Sequence, residues 1–79
     1  MSRGLHVPDI IEELRVDVAT ALGVAPGQVD TGADLTDLGL DSVRLMGVVE
    51  GIIARGYDVD YVDLAEDPRL DAWRGLLEG

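Results

Sequence analysis

The chain has no cysteine, no lysine and a single histidine, His6. Without thiols it can form neither a disulfide nor a thiolate metal site, and a cytoplasmic setting is expected. His6 lies near the start, so no histidine base is in view for a serine nucleophile. A Gly-x-Ser-x-Gly elbow is missing, as are the glycine patterns of phosphate loops and dinucleotide sites. Long apolar runs are also absent, and the first residues lack the basic-then-apolar layout of a signal peptide. The expectation is a soluble chain without a membrane partner. With no lysine, 16 acidic residues face six arginines, a net charge of −10. That excess repels nucleic acid and anionic membrane and favours basic partner surfaces; its plainer reading is a solvated coat.

Acidic clusters invite a metal test. An EF-hand frame opening at Asp58 meets Val62 at a ligand position and Asp63 where glycine is needed. One opening at Asp30 puts Gly32 at a ligand position, so no metal site is read. Seventy-nine residues make one small domain with room for one core and no deep cleft. The chain is therefore not expected to be an enzyme. Hydrophobic residues make up 47% of it, too many for a disordered segment.

Residues 1–7 read as a flexible leader and 8–79 as a single domain. The Met1 start and this leader point to a free-standing protein. Pro8 and Asp9 fit a helix start. Ile10, Ile11, Leu14, Val18, Ala21 and Leu22 then share one helical face, with Asp9, Glu12, Glu13 and Asp17 largely off it, and Gly23 is placed to end the helix. Residues 24–40 show no sustained period and are punctuated by Pro26-Gly27, Gly32 and Gly39. Val29, Leu35, Leu38 and Leu40 should pin this loop to the core, and 34–38 has room for one helical turn.

A second helix is expected from Ser42 to Arg55, stopped by Gly56. Its core face carries Leu45, Val48, Val49 and Ile52, with Ile53 at the edge; Val43, Met46, Gly47 and Glu50 fall opposite. A short irregular helix follows at 61–65, and Tyr57 and Tyr61 should be half-buried. Asp67 as cap and Pro68 as first helical residue then open a last helix. Leu70, Trp73 and Leu77 form its core face. No strand alternation appears. The fold class is all-α, a small bundle of three longer helices plus one short helix.

The chain is organised around Leu38-Gly39-Leu40-Asp41-Ser42-Val43-Arg44-Leu45-Met46, a loop that runs into a helix with a serine at the junction. Asp41 and Ser42 both suit an N-cap, and a helix start offers unpaired N–H groups and a positive dipole end to a phosphate. This run resembles the attachment site of phosphopantetheine-dependent carrier proteins. It is most similar to the aryl and peptidyl carrier proteins of nonribosomal peptide and siderophore biosynthesis. Asp63-Leu64-Ala65-Glu66-Asp67-Pro68-Arg69-Leu70 and Ala72-Trp73 resemble the same group, and the similarity covers Ile10 to Leu77.

The resemblance implies that Ser42 bears a covalent 4′-phosphopantetheine arm taken from coenzyme A. Aryl, aminoacyl or acyl groups would ride on the arm's thiol as thioesters. The implied partners are a phosphopantetheinyl transferase, an adenylating enzyme, and condensation or tailoring enzymes, with the carrier a monomer. Asp41 is implied to meet the transferase; its other reading is a negative charge that complements the helix dipole. Many peptidyl carriers inside large synthetases have histidine there, so aspartate leans toward aryl, free-standing or broader acyl carriers. Val43, Met46 and Gly47 suggest a docking stripe, against the reading that other helices cover them. Arg44 is a surface charge or a contact to a partner or the arm's phosphate. Two alternatives stay open: a carrier of fatty-acid or polyketide chains, and an acidic helical adaptor with Ser42 as an unmodified cap. A serine hydrolase is disfavoured by the missing base.

Overall fold

The computed structural model of the chain describes residues 9–78, so the leader expected at 1–7, Pro8 and Gly79 lie outside it. Helix α1 spans Ile10–Leu22. Asp9 caps it, its carboxylate accepting the Ile11 N–H at 3.0 Å. Gly23 ends it in the left-handed region, φ 76°, where its N–H reaches the Ala19 and Thr20 carbonyls. Its inner face buries Ile10, Ile11, Leu14, Val18 and Ala19.

Helix α2 spans Ser42–Ala54 and buries Leu45, Val48, Val49 and Ile52. It runs antiparallel to α1. Arg55, just past its end, reaches Glu13 at 3.3 Å and Asp17 at 2.9 Å. Gly39, just before its start, faces the Leu22 side chain. Ile53, placed at the edge of the core face by the sequence, is about half exposed (49%). Gly56, with φ 97°, turns the chain away as expected.

The loop between α1 and α2 hides two short structures. Pro26–Gln28 is a 3₁₀ turn, and Arg15 of α1 donates to the Pro26 carbonyl at 2.9 Å. The expected turn at 34–38 is present: the N–H groups of Asp37, Leu38 and Gly39 each donate to the carbonyl three residues back. Val29, Leu35 and Leu40 are buried and pin the loop, whereas Leu38 is 40% exposed and does not. Leu35 and Leu40 take the core, and Leu35 is tied there by its N–H bond to the Pro68 carbonyl.

Helix α3 spans Tyr61–Glu66 and buries Leu64. Helix α4 spans Leu70–Glu78 and buries Leu70 and Trp73. The sequence reading of its start needs correction. Asp67 follows the end of α3 instead of capping α4, and Pro68 precedes the helix. Their carbonyls are engaged elsewhere: Asp67 accepts from the Arg69 N–H and the Trp73 indole, and Pro68 accepts from Leu35. The first carbonyl to receive a helical bond is that of Arg69, from the Trp73 N–H. Trp73 is fully buried, and its indole N–H lies 3.0 Å from both the Leu64 and Asp67 carbonyls, which joins α3 to α4. Tyr57 and Tyr61 are half-buried against this core. All four α-helices of the described residues thus enclose one apolar core.

Candidate functional site

The start of α2 is shaped by one carboxylate. Asp41 is extended, φ −86° and ψ 176°, and is the N-cap. Its Oδ1 accepts the Arg44 N–H at 2.8 Å, and its backbone carbonyl accepts the Leu45 N–H at 2.9 Å. Ser42 is therefore the first helical residue and not the cap, which corrects the reading of Ser42 as an ordinary capping serine. The Ser42 side chain has no hydrogen-bond partner among the described residues, and the residue is exposed. The first N–H groups of a helix have no intrahelical acceptor. Asp41 takes that of Arg44, which leaves those of Ser42 and Val43 without an acceptor among the described residues. Gly39, with φ 108°, permits the sharp approach that brings the chain here.

The residues that follow are uncovered. Val43 is 80% exposed and Met46 50%. A side chain added at Gly47 would meet nothing within 4 Å. Among the described residues nothing packs where that side chain would project, so internal packing does not explain the glycine. Arg44 points to another flank of α2. Its guanidinium lies 3.9 Å from the Asp41 carboxylate, beyond hydrogen-bonding distance, and both are about half exposed. There it helps line a shallow open groove of about 350 Å³ between α1 and α2, with Asp17, Thr20, Ala21, Gly47 and Val48. The α1 wall of this groove was not foreseen. Its residues lie on the flank of the first helix, but no local pattern says which helix meets that flank.

The fit of these parts to a phosphorylated arm is good: a hydroxyl and two N–H groups without partners among the described residues, a helix dipole and an open approach. The site contains no histidine base beside Ser42 among the described residues. Comparison with known families then decides the class. The model of the phosphopantetheine attachment site matches residues 12–77. The chain belongs to that family. Members bind 4′-phosphopantetheine covalently, and as carrier domains they hold cargo for the enzymes of synthetase pathways.

Among curated relatives, this carrier domain is 40% identical over 73 residues to the phenyloxazoline synthase MbtB of Mycolicibacterium paratuberculosis, covering 92% of this chain and 6% of that protein. It is 41% identical over 66 residues to an isochorismatase of Bacillus subtilis, 84% of this chain and 21% of the relative. The pyochelin synthetase PchE of Pseudomonas aeruginosa is 43% identical over 67 residues, 81% of this chain and 5% of that protein. The carrier domain thus spans only a small part of each relative. No solved structure matches it significantly. Among the described residues, no helix is long and apolar enough to cross a membrane.

Proposed function

We propose that Ser42 is the attachment residue and that the chain carries aryl or aminoacyl groups in a nonribosomal-type pathway. The observation that carries this reading is the exposed, unbonded Ser42 hydroxyl at the start of a capped thirteen-residue helix, inside the matched family span. The arm, once attached, supplies a thiol on which the cargo is held as a thioester. The chain's own residues position and recognise. Asp41 fixes the backbone so that the Ser42 hydroxyl stands clear of the helix. The N–H groups of Ser42 and Val43 face the phosphodiester, and Val43, Met46 and Gly47 present an uncovered surface to successive partner enzymes. Arg44 adds a cation beside that surface. None of these groups makes or breaks a bond in the cargo.

The partners in this reading are a phosphopantetheinyl transferase that consumes coenzyme A, an adenylating enzyme that loads the thiol, and condensation or tailoring enzymes that accept the cargo. An aromatic cargo is favoured by the relatives, two of which are named for a phenyloxazoline and for pyochelin synthesis. The aspartate before the serine agrees with that preference. Intact mass after incubation with coenzyme A, magnesium and a broad-specificity transferase tests the attachment. Wild type should gain one phosphopantetheine unit and Ser42→Ala none. A folded wild type that gains nothing, from an unmodified starting mass, would end the carrier reading. Supplying the loaded protein with aryl-adenylating enzymes should then give an aryl thioester. Acylation by malonyl- or fatty-acyl-transferring enzymes alone would reassign the cargo to fatty-acid or polyketide chains.

A further inference from the structure

We infer that Met46 is a peroxide-sensitive position whose oxidation weakens partner docking while leaving the fold and Ser42 intact. The docking part of this inference rests on the carrier reading above. The sequence holds two methionines and no cysteine, so Met46 is the sole sulfur-bearing side chain among the described residues. It lies one helical turn beyond Ser42, 50% exposed, beside Val43 at 80%. The next residue, Gly47, has no side chain, and the space where one would project is empty to 4 Å. A small oxidant therefore meets no obstacle on that side. The inner face of α2 is made by Leu45, Val48, Val49 and Ile52, so a change at Met46 does not enter the core.

The chemistry needs only a hydroperoxide. A lone pair on the Met46 sulfur attacks the outer peroxide oxygen as the O–O bond breaks. With hydrogen peroxide the leaving oxygen departs as water after proton transfer, sulfur loses two electrons, and one S–O bond is formed. An adaptable apolar thioether becomes a polar, hydrogen-bond-accepting sulfoxide. On a face that excludes water when a partner docks, such a group must be desolvated, and the complex weakens. Methionine sulfoxide reductases reverse the step.

The test uses the protein without its arm, so that no cofactor thiol competes for the oxidant. It is treated with hydrogen peroxide, freed of excess reagent, and followed by peptide mass, thermal melting and transferase kinetics with coenzyme A. Expected are one added oxygen on the Met46 peptide, formed within roughly threefold of the rate for a free methionine amide, and an unchanged melting curve. The KM for the transferase should rise by about fivefold or more, with Ser42 still modified at saturation, and reductase treatment should reverse the rise. Met46→Leu should show the same kinetics before and after peroxide, whatever its own rate, and Met46→Gln should reproduce the raised KM. Slow oxidation at Met46, or an oxidised protein with unchanged KM, overturns the inference. An untreated protein that takes no arm refutes the carrier reading, and the docking consequence with it; the oxidation rate still decides the site's reactivity on its own.

Discussion

Two adjacent side chains at the start of α2 divide the work between them. Asp41 closes the helix and Ser42 is left unengaged, although either residue type suits a cap. Which one caps depends on which adopts extended backbone angles, and that is set by the turn at 35–39 and Gly39, not by residue preference. The stretch was thus legible as a loop running into a capped helix, while which residue caps it was not. The division predicts different costs. Asp41→Ala removes the acceptor for the Arg44 N–H and should cost about 1 kcal/mol, lowering Tm by roughly 4–8 °C in a domain of this size. Ser42→Ala breaks no hydrogen bond to a described residue and should stay within about 0.5 kcal/mol of wild type. Calorimetry on the two variants checks this; equal losses would mean that Ser42 shares the cap. Combined with mass spectrometry, Ser42→Ala should separate stability from arm attachment.

At the scale of the element, Gly47 and Trp73 show opposite uses of a helix position. Gly47 costs α2 helical propensity with no internal contact to offset it. Gly47→Ala should therefore raise stability by roughly 0.5–1 kcal/mol in urea titrations. If partners approach closely here, the same variant should slow transferase or loading turnover; faster unfolding would instead show that the glycine serves the fold. Trp73 does the reverse, bringing one buried ring and one N–H to two carbonyls. Trp73→Phe keeps most of the apolar volume and strips that donor, so it should destabilise by about 1–3 kcal/mol. Hydrogen exchange should show the loss first in α3, which packs on α2 with a single buried residue, Leu64. Helical periodicity revealed α1, α2 and the core face of α4, because those signals are local. The start of α4 was misread because Asp67-Pro68 resembles a helix opening, and only contacts from Leu35 and Trp73 show that their carbonyls point elsewhere.

Across the whole molecule, the charge excess is organised more closely than composition suggests. Each of the five arginines in the described residues lies within 4 Å of at least one carboxylate. Such exposed pairs contribute little singly, but two of them fix long-range geometry: Arg55 ties the end of α2 to α1, and Arg74 ties α4 to Asp9. The Ile11 N–H, then the Arg74 guanidinium, hold the Asp9 carboxyl below its usual range. Hydrogen bonds from the Thr36 hydroxyl and N–H do the same for Asp34, and Arg69 for Asp67. A carboxyl whose pKa is lower in the folded state stabilises above its unfolded value, near 4, and loses that contribution as pH falls through the folded value. Relief of repulsion among the excess acids acts in the opposite sense, so the useful quantity is a difference. Asp9→Asn retains a good cap but forfeits the charge. Its Tm should lie below wild type at neutral pH, and the gap should close as pH falls toward 3 and below. A constant gap across that range would trace the loss to something other than ionisation. The pairing of helices behind these contacts was not legible in the sequence, since no local pattern says that Arg55 meets Glu13 or that Arg74 meets Asp9.

The seam between the loop and the α3–α4 junction bears on the order of folding. Leu35 donates to the Pro68 carbonyl at 2.8 Å, and Thr31 accepts from the Asp71 N–H at 2.9 Å. During synthesis residues 31–40 emerge well before their partners exist. Until 68–73 have been made and Trp73 has closed against Leu64, the segment that leads into Ser42 lacks both of these anchors and recovers only part of its loop-closure entropy. A nascent chain therefore offers Ser42 in its finished setting only after nearly the whole domain has been translated, although the serine lies close to the middle of the sequence.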